Sequence, residues 1–197
     1  MTPDERARHE AIIRGHLDAG AFDAATESAI RGFGPEILGW LHGSLPGPAE
    51  AGDAFSLFGE HLWKSLPRFD GRCSMRTWCY VLARHAASRV RDARAAHRAV
   101  PLSDAPISEL VAQVRETTLV HLRTDVKDRV RALREQLDPD DQTLLVLRVD
   151  KDLGWRDIAQ VLAGPDAAAD DVDRLSATLR KRFERVKQRL RELADET

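Results

Sequence analysis

Apolar residues recur at spacings of three and four along almost the whole of this 197-residue chain, while the apolar–polar alternation of a half-buried strand is sustained nowhere. No Asn-Gly or similar dipeptide joins two apolar runs as a hairpin would require. The chain is therefore expected to be all-α. Candidate helices run roughly over 4–18, 23–44, 49–65, 74–96, 108–121, 123–137, 139–150, 154–163 and 170–194. They are punctuated by GSLPGPAEAG, LPRFDGRCS, AVPLSDAPIS, LDPDD and AGPDAAADD, segments rich in the residues that stop helices. No internal repeat is present.

A chain of this length can build two small cores. Pro101 and Pro106 open the best candidate for a linker, so the expected division is a domain over 1–98, a linker over 99–121 and a second domain over 122–197. The later part of that linker, SELVAQVRETTLVHL, carries enough apolar residues to become helical on contact. No apolar run approaches a membrane span, and the charged stretch MTPDERARHEAIIRGHLDAG lacks the apolar core of a signal peptide. No membrane insertion and a cytoplasmic location are expected. Cys73 and Cys79 have neither metal-ligand nor redox spacing, and the seven histidines form no HExxH pattern. Both cysteines read as packing residues, with no metal, cofactor or catalytic centre expected.

Charge is sharply segregated. Residues 64–98 hold nine basic residues against two acidic ones, interleaved with Phe69, Trp78 and Tyr80. Residues 174–191 hold eight basic residues against Glu184 alone. Because the whole chain is only −2, the remainder is strongly acidic. Basic residues attract phosphate and aromatic faces stack on unpaired bases, so the first block suits melted or single-stranded DNA.

In the helix from Ser74, Met75, Trp78, Cys79, Leu82, Ala86 and Val90 share one face and are expected in the core. Arg76, Tyr80, Arg84, Arg91, Arg94 and Arg98 fall on another, which is suited either to a phosphate backbone or to acidic neighbours within the protein. The preceding loop, Phe69, Asp70, Gly71 and Arg72, contains a glycine whose backbone freedom lets polar groups converge on an extruded base. Phe69 alone fits equally well as a cap on the core.

Toward the C-terminus, GWRDIAQVLAG and the long basic helix after it form a helix-turn-helix pattern. Ile158, Val161 and Leu162 would pack on Leu175, Leu179, Phe183, Val186 and Leu190, leaving Ala177, Arg180, Lys181, Glu184 and Gln188 outward. A membrane-surface or partner helix has a similar pattern, but the support helix favours DNA.

Three stretches, EILGWLHGSL, AEAGDAFSLFGEHLWKSLPRFDGRCSMRTWCYVLARHAASRVRDARAAHR and LREQLDPDDQTLLVLRVDKDLGWRDIAQVLA, resemble an RNA polymerase sigma factor of the small extracytoplasmic-function group. The likeness covers about 22–193. It implies that the helix from Glu50 to Lys64 docks on the clamp helices of the largest polymerase subunit, through Asp53, Leu57, Glu60 and Trp63. It also implies that Arg68, Phe69, Asp70 and Arg72 lie in the loop that captures a flipped base of the minus-ten element. Arg76, Tyr80, Arg84 and Arg91 would follow the adjoining DNA. Thr178, Arg180, Lys181, Arg182, Glu184 and Arg185 would read the minus-thirty-five element, with the polymerase flap nearby.

The implied function is promoter recognition and melting together with core RNA polymerase, with an anti-sigma factor as a possible inhibitor. The chain departs from the family at two places. Ser56 and Leu57 replace the usual Gln-Glu pair, and GPDAAADDVDR replaces a tight turn. The spacing of Val172, Leu175, Leu179, Phe183, Val186, Leu190 and Leu193 continues upstream without a break, so the extra residues are expected to lengthen the helix, starting it near Asp170. A stand-alone helix-turn-helix regulator is the alternative function.

Overall fold

The computed structural model describes residues 1–96, 106–119 and 136–195. Every regular element among them is helical, and contacts divide the chain into two compact units, Met1–Leu122 and Arg123–Thr197. The first contains α1 (Pro3–Asp18), α2 (Phe22–Ser44), α3 (Pro48–Ser65), α4 (Met75–Ala95) and α5 (Ser108–Leu119), with a 3-10 turn at Leu66–Arg68. The second contains α6 (Pro139–Leu145), α7 (Trp155–Ala163) and α8 (Ala169–Asp195). The helix expected over 123–137 falls, apart from Gln136 and Leu137, outside the described residues, as does Arg98.

Helix starts follow local chemistry. Thr2 caps α1 reciprocally with Glu5, Ser74 caps α4 by accepting from the Thr77 N–H, and Asp138 caps α6 by accepting from the Asp140 N–H. Pro3, Pro48 and Pro139 occupy first-turn positions where no N–H is needed. The end of α6 widens into a π-helical turn over Val146–Asp150, closed by the Lys151 N–H on the Val146 carbonyl at 3.1 Å.

The core of the first unit joins Ile30, Phe33, Ile37 and Leu41 of α2 to Phe55, Phe58 and Leu62 of α3 and to the buried residues of α4. Helix α4 packs on α1, α2 and α3, and for that reason its buried surface is wider than a single stripe. Thr77, Tyr80, Val81, Ala83 and Ala87 are buried along with the expected Met75, Cys79, Leu82, Ala86 and Val90, while Trp78 is only half-buried. Cys79 lies in this core, and burial pushes its thiol pKa well up.

The helix in the expected linker, α5, packs against α2 and α3 and is part of the first unit. Two glycines permit the approach. A Cβ at Gly59 would stand 2.5 Å from Cγ2 of Val111, and one at Gly34 would stand 3.1 Å from Cγ1 of Val114. In the second unit, Ile158, Ala159 and Val161 of α7 meet a stripe on α8 whose buried members, Val172, Leu179, Val186 and Leu193, recur every seventh residue.

Gly59→Ala should lower stability by about 1 to 3 kcal/mol through overpacking. Urea unfolding measures the loss, and hydrogen exchange should show reduced protection concentrated in 108–119. Unchanged protection there would mean that α5 does not depend on the glycine contact.

Candidate nucleic-acid interface

The loop before α4 hangs between two ordered ends. Upstream, the Phe69 N–H donates to the Leu66 carbonyl at 3.1 Å. Within the loop, Asp70 Oδ1 accepts from the Arg72 N–H at 3.2 Å and Oδ2 faces Arg72 Nε at 2.6 Å. Gly71 has φ +71°, which a residue with a Cβ rarely adopts. Arg68, Asp70 and Arg72 are exposed. The half-buried Phe69 rests against Trp78 with ring centroids 5.7 Å apart, so the loop carries cationic groups beside an aromatic pair.

The α4 residues expected along DNA are arranged differently. Tyr80 is 0 % exposed and its hydroxyl donates to Glu36 Oε1 at 2.8 Å. Burial and the neighbouring Glu36 raise its pKa well above the usual phenol value, which keeps that donor protonated. The Arg76 side chain is 12 % exposed and forms a two-point pair with Glu36, its Nε lying 3.2 Å from Oε2. Arg76 and Tyr80 are thus corrected from surface residues to members of a partly buried network. Arg84 and Arg91 are half-buried and engaged within the protein, and Arg94 pairs with Glu50 at 2.6 Å. The exposed side of α4 carries His85, Arg89 and Asp92 together with Arg94.

On α3, Asp53 is half-buried and Glu60 pairs with Lys64. The half-buried Trp63 donates its indole N–H to Asp23 at 3.0 Å. Leu57 is corrected from a docking residue to a core residue, 7 % exposed, because neighbouring helices cover α3 broadly. Residues not singled out from sequence also meet here. His61 and His85 have ring centroids 5.5 Å apart, with Arg89 Nη1 3.4 Å from His61 Nε2. Burial, His85 and Arg89 lower the His61 pKa.

In the second unit α8 begins at Ala169, so of the extra residues 164–174 those from Ala169 onward are helical, as the apolar spacing predicts, while 164–168 form the turn. Asp170 and Asp171 occupy its first turn, where carboxylates interact favourably with the helix dipole. Asp171 is paired with Arg174, and Asp173 Oδ1 lies 2.9 Å from Arg156 Nε of α7. Arg182 is half-buried and braces α8 against α6 through Asp141 and, at 3.7 Å, Asp138. The DNA-reading role that the resemblance implies for Arg182 is thus corrected to a tie between the two helices.

Ala177, Arg180, Lys181, Glu184, Arg185 and Gln188 are all exposed, and Arg180, Lys181 and Arg185 make no ion pair among the described residues. Glu184 faces Lys187 at 2.8 Å, and the Thr178 hydroxyl donates back to the Leu175 carbonyl at 2.8 Å. No cluster of three His, Cys, Asp or Glu capable of holding a metal occurs among the described residues. Among them, no helix is long and apolar enough to cross a membrane. Comparison with family models, with curated proteins and with solved structures gives no match.

Two arginines two residues apart should behave oppositely. Arg182→Ala is expected to destabilise the second unit by about 1 kcal/mol by leaving the half-buried Asp141 carboxylate without its partner, whereas Arg180→Ala should stay within about 0.5 kcal/mol. Equal effects in chemical denaturation would refute the division. The His61 shift gives a second expectation. A histidine held below its ordinary value of 6.5 contributes stability that is present above that value and is lost as pH falls through the folded value. Wild-type stability should therefore drop on acidification below that value, and His61→Gln should flatten the drop in urea titrations.

Proposed function

We propose that this chain is a transcription initiation factor of the sigma type. It joins core RNA polymerase, brings it to a promoter and helps to open the duplex, with no catalytic step of its own. The reading is supported by one combination of features. An exposed cationic loop lies beside an aromatic pair, Phe69 and Trp78, and a separate unit turns Arg180, Lys181 and Arg185 to solvent from a long helix backed by α7. The first suits an unpaired base and its flanking phosphates, the second the major groove of a duplex. A stand-alone regulator of duplex operators has use for the second feature only.

In this role Arg68, Phe69, Asp70 and Arg72 engage the melted minus-ten element, and Thr178, Arg180, Lys181, Glu184 and Arg185 read the minus-thirty-five element. Arg76, Tyr80 and Arg182 support those surfaces from inside. Asp53, Glu60 and Trp63 remain the docking residues on α3, facing the polymerase clamp helices, and the flap contacts the second unit. Capture of an extruded base offsets part of the cost of unpairing it, so no nucleotide hydrolysis is required. Two weak contacts held together by the polymerase yield a specific one through effective concentration.

Run-off transcription with core RNA polymerase on genomic fragments tests the reading and identifies promoters together. The free chain should bind duplex DNA only weakly at physiological salt. Tight, sequence-specific gel shifts without polymerase would replace this reading with the stand-alone regulator. Phe69→Ala combined with Arg72→Ala should reduce permanganate reactivity of promoter thymines far more than assembly with polymerase, because stacking contributes about 1 to 3 kcal/mol per base. Normal reactivity would reduce the loop to a structural element.

A further inference from the structure

The first three N–H groups of α4 have no helical partners, and side chains take all of them. Ser74 Oγ accepts from Thr77 at 3.0 Å. Glu10, on α1, accepts from Met75 at 3.0 Å through Oε2 and from Arg76 at 2.8 Å through Oε1. One carboxylate thus holds two consecutive amides at the residue where the Arg68–Ser74 loop ends. Its approach is set by the residue before it. His9 Nε2 lies 2.7 Å from the Ser28 carbonyl, and its ring stands edge-on to Phe33 at 5.4 Å. Gly32 makes room, since a Cβ there would lie 1.7 Å from the same nitrogen. Apart from Ile13, α1 buries no residue fully.

We propose that Glu10 is a positioning residue for the base-capturing loop: it fixes the loop's downstream end and thereby sets the rate of promoter opening. This rests on the proposed function. The loop's own hydrogen bonds, between Asp70 and Arg72, are local and orient nothing relative to the body of the unit. Its connections to that body include the Phe69 N–H bond to Leu66, the contact of Phe69 with Trp78, and the α4 start that Glu10 holds. Without the carboxylate the first turn of α4 loses two acceptors and the favourable charge at its positive end. Phe69 and Arg72 then sample several positions, and an unpaired base gains less from meeting them.

The test uses the full-length chain with Glu10→Gln, which conserves shape but sets an NH2 donor where one of the two accepting oxygens stood. Glu10→Ala serves as a second variant, and circular dichroism confirms that both stay folded. In the free protein, hydrogen exchange at Met75 and Arg76 should rise while that in 108–119 stays unchanged. With core RNA polymerase, the concentration giving half-maximal assembly should be unchanged, and the maximal opening rate should fall about ten-fold, equivalent to about 1.4 kcal/mol. A promoter carrying a pre-melted bubble should restore the rate, which a merely misfolded variant could not achieve. If the wild type opens promoters and both variants open them equally fast, or if the Met75 and Arg76 amides stay protected, the positioning role is wrong and the proposed function survives. If the wild type itself opens no promoter with polymerase, the proposed function falls and this role falls with it.

Discussion

Helix α4 is the element around which the first unit is built, and two carboxylates determine how it sits. Glu36 of α2 takes the Arg76 guanidinium and the Tyr80 hydroxyl together, while Glu10 of α1 takes the amides at its start. Burial of Tyr80 makes the Glu36 contacts consequential, because a phenol and a guanidinium removed from water need partners of good geometry. With both ends of the network satisfied, α4 can bury residues on most of its circumference against three helices. The loop before it is displayed from that fixed base.

In the second unit the same principle separates structural from exposed charge. Arg148 lies over the Trp155 ring at 4.7 Å and donates to the Leu153 carbonyl, Arg156 and Arg174 offset acidic groups around the start of α8, and Arg182 ties that helix to α6. Arg180, Lys181 and Arg185 retain their charge toward solvent. A high count of basic residues is therefore a poor guide to binding surface. What matters is which of them lack a carboxylate within the fold.

The helical class, most helix boundaries and the lengthened α8 were legible because they depend on local spacing, caps and breakers. Ser74 at the start of α4 and Gly164 at the end of α7 act on residues only three or four positions away. Arg76, Tyr80 and Leu57 were misjudged because a helical wheel shows which residues share a face but not how many helices cover it. One signal was available. Glu36 stands three residues after Phe33 and four before Trp40, a carboxylate on an apolar face, and such a group calls for a cationic or hydroxyl partner. Nothing in the sequence links Glu10 to Met75, because their contact depends on how α1 is seated on α2. The packing of α5 into the first unit was equally hidden, since it rests on the missing side chains of Gly34 and Gly59.

The length of α8 constrains how it could serve the proposed role. Arg180 stands eleven residues beyond Ala169, the first residue of the helix, so at about 1.5 Å per residue it lies roughly 17 Å from that end. A helix that enters a groove by its first turn would bring Asp170, Asp171 and Asp173 against phosphate, and pairing with Arg174 and Arg156 reduces that repulsion without supplying positive charge. Arg180, Lys181 and Arg185, by contrast, lie in the middle of the helix on its exposed side. Contact through the middle places the helix along the groove rather than pointing into it. Its acidic start is then carried away from the bases, and the exposed segment between Ala177 and Gln188 becomes the part that can carry sequence information.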